Sequence, residues 1–250
     1  MIFIIPYIFG HRGFMSKYPE NTMEGFKQAV NLGVGIESDV QLTNDNNLVC
    51  FHDKSFKIGG KWYDVSKLTL EEIRTLKFRD KRLIPEVSEV FETLNGENSN
   101  PRYSFDIRSE AEGIKLIDLA LKKNLLERVE ITDKRIPILT KLRKFHENAK
   151  LVHTVPEKIK HFDNKRVDFN YLKELKINSL NIVSWRANPQ NLKVILDNGF
   201  NCYVWGVNSK NRMKRLFSFI YHNKGISAIY TDYPDVALMI RAQILEDTLK

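Results

Sequence analysis

The chain contains little cysteine: Cys50 and Cys202 are its two cysteines among 250 residues. Both lie in apolar runs typical of strands, which indicates buried free thiols and excludes a disulfide framework. Residues 1–9 are apolar but have no basic leader and no small-residue cleavage site. No run approaches the ~20 apolar residues of a membrane span. We therefore expect a cytoplasmic protein without a transmembrane segment.

Other signals are also absent. There is no Gly-rich dinucleotide fingerprint, no Pro/Ser-rich linker and no low-complexity tract. The net charge is +8, but Lys and Arg are scattered along the chain. This pattern is typical of solvated faces, so nucleic-acid binding is not expected, whereas weak contact with an anionic membrane surface stays open.

Short β-rich runs alternate with helical patterns along the chain. Eight runs are predicted strands: Phe3–Phe9, Gly35–Leu42, Tyr103–Ile107, Val129–Thr132, Leu151–Thr154, Leu180–Val183, Asn201–Trp205 and Ala228–Thr231. Eight strands separated by helices in ~250 residues favour an α/β fold, a (β/α)8 TIM barrel. An open doubly wound sheet is the alternative.

Predicted helices lie between most of these strands: Met23–Leu32, Ala111–Lys123, Ile136–His146, Pro189–Asn198, Lys210–His222 and a last one from Asp235 onward. Residues 53–96 interrupt the alternation after the second strand. They contain Gly59-Gly60, Trp62-Tyr63 and a short helical pattern at Leu70–Leu76. We interpret them as a small insertion on the catalytic face of one single domain, residues 1–250.

Three carboxylates are candidate metal ligands. Glu37 and Asp39 are two apart on a predicted strand, so their side chains share one face. Such close anions repel each other unless a cation lies between them. Solvent-facing charges on an edge strand are the alternative, but a closed parallel barrel has no edges. Asp106 ends the third strand, and carboxylates without a Cys/His cluster favour Mg²⁺ or Ca²⁺.

His11 and His52 each follow an apolar run in the first quarter of the chain. Because imidazole exchanges protons near neutral pH, we predict that they act as general acid and base, although a lone histidine is more often structural. Arg12 can contact two phosphate oxygens with its planar guanidinium. Its alternative role is a salt bridge to Glu20 or Asp39.

Two further residues are candidates for substrate contact. Arg108 shares the face of Asp106, so phosphate binding and a structural ion pair with Asp106 are both open. Trp205 ends a predicted strand, where it forms either core or an apolar wall against a substrate's carbon chain.

From Gly10 to about Val236 the chain resembles the glycerophosphodiester phosphodiesterase family. The motifs that carry the resemblance are His11-Arg12-Gly13, Pro19-Glu20-Asn21-Thr22, Glu37-x-Asp39-Val40, Thr43 with Leu48-Val49, His52-Asp53, Ile84-Pro85, Val204-Trp205 with Val207-Asn208, and Thr231-Asp232-Tyr233-Pro234. The resemblance implies a (β/α)8 barrel that hydrolyses glycerophosphodiesters to glycerol 3-phosphate and an alcohol with a divalent metal, usually Mg²⁺ or Ca²⁺. It assigns roles by position: metal binding to Glu37 and Asp39, acid/base catalysis to His11 and His52, phosphate binding to Arg12, and the substrate wall to Trp205.

Three residues depart from the family pattern. Asp106 stands where glutamate is usual, Arg108 where lysine is usual, and Gly206 where threonine is common. In having an aspartate at the third ligand position, the chain resembles the related phospholipase D and sphingomyelinase D branch of the fold. Two other functions therefore stay open. One is lysophospholipase D activity on membrane-derived lipids, with Trp62 and Tyr63 contacting acyl chains; the other is a non-catalytic module that binds phosphate ligands.

Overall fold

Eight parallel strands close into a barrel at the centre of the molecule. The computed structural model describes residues 5–96 and 100–249. The barrel strands are β1 Tyr7–Gly10, β2 Gly35–Leu42, β3 Tyr103–Asp106, β4 Val129–Asp133, β5 Lys150–Thr154, β6 Ser179–Val183, β7 Asn201–Trp205 and β8 Ala228–Thr231. Each pairs in parallel with the next one in this order, and β8 pairs with β1. The predicted barrel is confirmed, and the open sheet is excluded.

The barrel strands are buried on both faces, as β3 illustrates. Tyr103 and Phe105 point outward and pack edge-on against Phe91, with ring centroids 5.0 and 5.9 Å apart. Ser104 points inward, where its hydroxyl lies 3.0 Å from the hydroxyl of Tyr230 on β8. Because side chains alternate along a strand, Asp106 also points inward, at the carboxyl end of β3.

The part of the chain that the structure describes contains nine α-helices. They are α1 Met23–Asn31, α2 Leu70–Thr75, α3 Val87–Leu94, α4 Glu110–Lys122, α5 Ile136–Phe145, α6 Phe169–Glu174, α7 Pro189–Asp197, α8 Lys210–Phe217 and α9 Pro234–Leu249. Local signals explain several starts. The hydroxyl of Thr22 accepts a hydrogen bond from the Gly25 N–H and caps α1. Pro189 and Pro234 open α7 and α9, where the missing N–H costs little.

The observed helices differ from the predicted ones at three places. Helices α3 and α6 have no counterpart among the predictions, and α6 has six residues, too few for a clear periodic pattern. The prediction that a helix continues to His222 is wrong, because α8 ends at Phe217. A hairpin of Ile220–Tyr221 and Lys224–Gly225 follows. Its turn residues His222 and Asn223 have φ of 48° and 58°, which a right-handed helix does not contain.

Residues 53–96 begin with a hairpin of strands Ser55–Ile58 and Lys61–Asp64, hereafter the insertion hairpin. It turns at Gly59 and Gly60, whose φ of 56° and 86° favour glycine. The hairpin and α2 pack on an apolar cluster that is separate from the main core: Val49, Phe51, Phe56, Val65, Leu70, Ile73 and Ile84. Strand Leu48–Cys50 pairs with the carboxyl half of β2 and leads into the hairpin, which therefore lies beside the carboxyl end of the barrel. Helix α3, at the end of this range, packs against α1.

Both cysteines are buried free thiols, as predicted. The predicted first strand is observed from Tyr7, and Phe3 lies outside the described residues. In the described ranges, no helix has the length and apolarity needed to cross a bilayer.

Candidate active site

Three carboxylates converge at the carboxyl end of the barrel. Glu37 and Asp39 project from the same face of β2, and the register pairs Asp39 with Asp106 on the neighbouring strand. One oxygen from each carboxylate lies within 4.8 Å of the other two. We call these three residues the acidic cluster. The period-two spacing on β2 and the adjacency of β2 and β3 together bring the predicted set into one place.

The acidic cluster is strongly perturbed. Burial, with the nearby charge of Asp39, raises the pKa of Glu37 to about 7, although His11 acts in the opposite direction. Burial and the charges of Glu37 and Asp39 raise the pKa of Asp106 well above its ordinary value. Three crowded carboxylates, of which Glu37 is buried and the other two are partly buried, therefore fit a hard divalent cation, because its charge would offset their mutual repulsion.

His11 follows β1 directly, and its imidazole points toward the acidic cluster. Its Nδ1 lies 2.7 Å from Oδ1 of Asp232, and its Nε2 lies 3.9 Å from Oε2 of Glu37. Burial alone lowers the pKa of His11, but the hydrogen bond to Asp232 and the Glu37 carboxylate outweigh burial and raise it. Asp232 thus orients the ring and leaves Nε2 facing the cluster.

Asp232 is a residue whose role the sequence did not indicate. Its Oδ2 accepts a hydrogen bond from the Asn208 side-chain amide at 2.6 Å, and its backbone N–H donates to the Asn208 side-chain oxygen at 2.9 Å. Asn208 and Asp232 follow β7 and β8, so the last two strands hold the histidine of the first. Both residues belong to motifs singled out in the sequence, but the contact with His11 requires closure of the barrel.

Arg12 is engaged within the chain. Its backbone N–H donates to Glu37 Oε2 at 2.9 Å, and its guanidinium lies 2.5 Å from Glu20 and 3.2 Å from Asp39. The salt bridges considered as the alternative role of Arg12 are therefore both present. A Cβ at Gly10 would collide with the carbonyl of Gly13, so this tight turn requires glycine.

Asn21 belongs to a motif singled out in the sequence, but its role at the site was not predicted. Its side-chain oxygen accepts a hydrogen bond from Ser38 at 2.7 Å, and its amide lies 3.4 Å from Oδ2 of Asp39. Its own backbone N–H donates to the Arg12 carbonyl at 3.0 Å. Asn21 therefore links the turn after β1 to residues 38 and 39 of β2 by hydrogen bonds.

His52 and Arg108 meet at the rim of the site. Nδ1 of His52 lies 2.7 Å from Oδ1 of Asp53, and the side chain of His52 is 39% exposed. The Arg108 guanidinium donates to the His52 carbonyl. Within the described ranges, neither residue pairs directly with the acidic cluster, so the considered Asp106–Arg108 ion pair does not form.

A cavity of about 370 Å³ lies against the acidic cluster, and its wall includes Asp39, Asp106, Arg108 and Arg135. Trp205 stands at the carboxyl end of β7, two strands from β1, and packs against the aromatic residues inside the barrel. Its indole N–H is buried and has no hydrogen-bond partner among the described residues. The site therefore combines an acidic centre with basic side chains on one flank.

The fold and the acidic cluster define a class of protein: a (β/α)8 barrel with a group of convergent carboxylates at the carboxyl ends of its strands. Within this class, residues 11–236 match the profile of the Glycerophosphoryl diester phosphodiesterase family, and the chain belongs to this family.

Full-length relatives agree with this membership. A glycerophosphodiester phosphodiesterase of Caldanaerobacter subterraneus subsp. tengcongensis is 29% identical, over 92% of this chain and 96% of that protein. One of Bacillus altitudinis is 26% identical, over 95% of this chain and 98% of that protein.

Solved structures show the same fold. A glycerophosphodiester phosphodiesterase from Parabacteroides distasonis has a TM-score of 0.78 at 20% identity, covering 97% of this chain and 99% of that one. An Oleispira antarctica phosphodiesterase, solved in complex with the product sn-glycerol-3-phosphate, has a TM-score of 0.75 at 19% identity, covering 94% of this chain and 96% of that one.

Proposed function

We propose that this chain hydrolyses glycerophosphodiesters to glycerol 3-phosphate and an alcohol. The observation that carries the proposal is the acidic cluster with the His11 imidazole 3.9 Å from Glu37. Family membership and a structural neighbour that holds glycerol 3-phosphate support the substrate class. In the net reaction the P–O bond to the alcohol breaks and the oxygen of water bonds to phosphorus.

In this proposal Glu37, Asp39 and Asp106 hold Mg²⁺ or Ca²⁺, since all three offer hard oxygen donors. When bound, the cation supplies positive charge that stabilises negative charge developing on the phosphoryl oxygens. Arg108 faces the adjoining cavity and can contact the phosphate with its guanidinium. Arg12, already held by Glu20 and Asp39, keeps the backbone N–H beside Glu37 in place.

Two histidines move the protons. The hydrogen bond that His11 Nδ1 donates to Asp232 makes His11 a stronger base, and its Nε2 accepts the proton of the attacking water or of the neighbouring glycerol hydroxyl. His52 is half-buried at the rim, where it donates a proton to the departing alcohol oxygen. Trp205 provides the apolar wall for the substrate's carbon chain.

The test is a diester hydrolysis assay with and without chelator, followed by addition of Mg²⁺ or Ca²⁺. Loss of turnover on chelation and its recovery with one of the two ions is expected. Metal-independent turnover contradicts the cation site. Ligand binding without any turnover indicates the non-catalytic module instead.

Lysophospholipase D activity is the second candidate, because Trp62 on the insertion hairpin is 66% exposed and could contact an acyl chain. A comparison of glycerophosphocholine with lysophosphatidylcholine as substrates separates the two activities. The two buried free thiols fit a reducing compartment, so we keep the cytoplasm as the proposed location.

A further inference from the structure

A second cavity, of about 810 Å³, lies between the insertion hairpin and residues 77–82. We call it the hairpin cavity. Its floor is aromatic: the rings of Phe51, Phe56 and Phe78 pack against one another with centroids 5.0 to 6.2 Å apart. A concave, partly apolar space of this size suits a small organic molecule.

The hairpin cavity adjoins the candidate catalytic groups. Asp53 lies in its wall and contacts Nδ1 of His52 at 2.7 Å. Glu20 also lies in its wall and contacts the Arg12 guanidinium. A general acid must reach the oxygen that it protonates. If His52 donates the proton to the departing alcohol, that alcohol leaves on the side of the hairpin cavity.

The carboxylates in the cavity wall are already compensated. Each of the three has a basic partner: Glu20 pairs with Arg12 and Arg82, Asp80 with Arg82, and Asp53 with His52. An incoming cationic group would therefore find these carboxylates engaged and would have to displace an existing partner.

Three basic residues in the same wall have no carboxylate partner in the described part of the chain, whereas Arg82 is paired. Lys77 and Arg79 line the cavity, and neither pairs with a carboxylate in the described part of the chain. Lys57 adds a third cation, whose ammonium group lies 6.0 Å from the ring centroid of Trp62. The hairpin cavity thus combines an aromatic floor with cations that are free to bind an anion.

We propose that the preferred substrate releases an alcohol that carries an anionic group, and that Lys77 and Arg79 bind this group in the hairpin cavity. This inference rests on the proposed function and specifies its substrate class. A cationic alcohol such as choline would face uncompensated like charges, whereas a phosphorylated polyol would pair with two free cations. The cavity therefore selects among glycerophosphodiesters by the charge of the alcohol.

The test compares two substrates that differ by one phosphate, glycerophosphoinositol and glycerophosphoinositol 4-phosphate. Two exposed ion pairs predict a kcat/KM about two- to thirtyfold higher for the phosphorylated substrate, which corresponds to about 0.4–2 kcal/mol. In the double variant K77Q/R79Q this ratio should fall to about one. The variant K144Q/R215Q removes the same charge from exposed residues on α5 and α8 and should keep the wild-type ratio.

Added salt should lower the ratio in the wild type, because the cations are exposed. Equal kcat/KM values for both inositol substrates in the wild type overturn the inference, as does a preference that survives in K77Q/R79Q. Hydrolysis of neither inositol substrate nor of glycerophosphocholine, with Mg²⁺ or Ca²⁺ present, contradicts the proposed function itself. The two failures are therefore distinguishable.

Discussion

The two ends of the barrel both bury charged groups, and they balance the charge differently. At the amino end, Arg102 donates to Glu130, and its guanidinium lies 4.4 and 5.1 Å from the ring centroids of Tyr7 and Phe9. At the carboxyl end, the acidic cluster has three carboxylates, and the Arg12 guanidinium pairs with one of them, Asp39, and with Glu20. One end pairs its charges within the chain; the other has more negative groups than cations.

This difference separates a structural pair from a binding site. A buried charge is tolerated when a partner and hydrogen bonds compensate it. The Arg102–Glu130 pair meets that condition in part: Oε1 of Glu130 accepts from Arg102, whereas Oε2 has no hydrogen-bond partner among the described residues. The acidic cluster would meet it with the proposed cation bound, which is the arrangement expected of a site that works with a ligand.

The largest expected effect comes from removing one charge of the acidic cluster. Glu37→Gln keeps an oxygen that can accept the Arg12 N–H but removes a carboxylate of the proposed metal site. We expect kcat/KM to fall about 10³-fold, because several kcal/mol of charge stabilisation are lost. Glu130→Gln, at the other end of the barrel, should change kcat/KM less than about twofold.

The same variant tests the electrostatics without metal. The pKa of Glu37 is about 7 in the folded chain against 4.5 ordinarily. Between these pH values the folded state therefore holds a proton on Glu37 that the unfolded state has released. Stability contributed by this proton is lost as the pH rises through that window. In chelator, Glu37→Gln should therefore be more stable than the wild type, and the difference should grow from about pH 5 to 8. A less stable variant at the upper end of this range contradicts a crowded acidic cluster.

His11→Ala and His52→Ala should each lower kcat by about 10²- to 10³-fold, within the range of general acid–base catalysis. Both side chains are at least 30% exposed, so unfolding is not expected, and circular dichroism with thermal denaturation checks this. Near-normal hydrolysis of glycerophosphodiesters by either variant rules out the two-histidine scheme.

A smaller loss is expected for Asp232→Asn, which keeps a hydrogen-bond acceptor beside His11 but removes the charge. We expect about a 10- to 100-fold loss, as for other residues that orient a functional histidine. Because Asp232 raises the pKa of His11, the acid limb of the kcat/KM profile should move to lower pH in the variant. An unchanged acid limb means that Asp232 does not act through His11.

At the amino end, Arg102→Met should destabilise the fold by about 2–3 kcal/mol, because it leaves the buried Glu130 without its partner. Urea unfolding measures the loss, while kcat/KM should stay within about twofold. The double variant R102M/E130L should recover part of the stability, since an apolar pair replaces the ionic one. A double variant that is no more stable than R102M contradicts a purely structural pair.

The smallest effect concerns His153 on β5, which faces outward because its neighbour Val152 packs inside the barrel. Burial lowers the pKa of His153, so the unfolded state binds a proton more readily. Stability is therefore lost as the pH falls below about 6.5. Between about pH 7 and 5, the free energy of unfolding should fall by about 1 kcal/mol less in His153→Gln than in the wild type. The same change at the exposed His161 is the matched control.

Much of the site could be predicted from local pattern. The alternation on β2 places Glu37 and Asp39 on one face, and Asp106 ends the next barrel strand. The missed elements lack such a pattern: α6 is short, and α3 lies in a range interpreted as an insertion. The end of α8 depends on turn residues with positive φ, which hydrophobic periodicity does not reveal.

Local periodicity and short motifs were enough to predict the order of the barrel strands, the family and the set of acidic and imidazole side chains. Which of these side chains meet depends on the closed barrel. Asp232 reaches His11 across 221 positions, and Arg102 reaches Tyr203 across 101. Such contacts exist because ring closure of parallel strands brings distant carboxyl or amino ends together, and no local pattern specifies the partner.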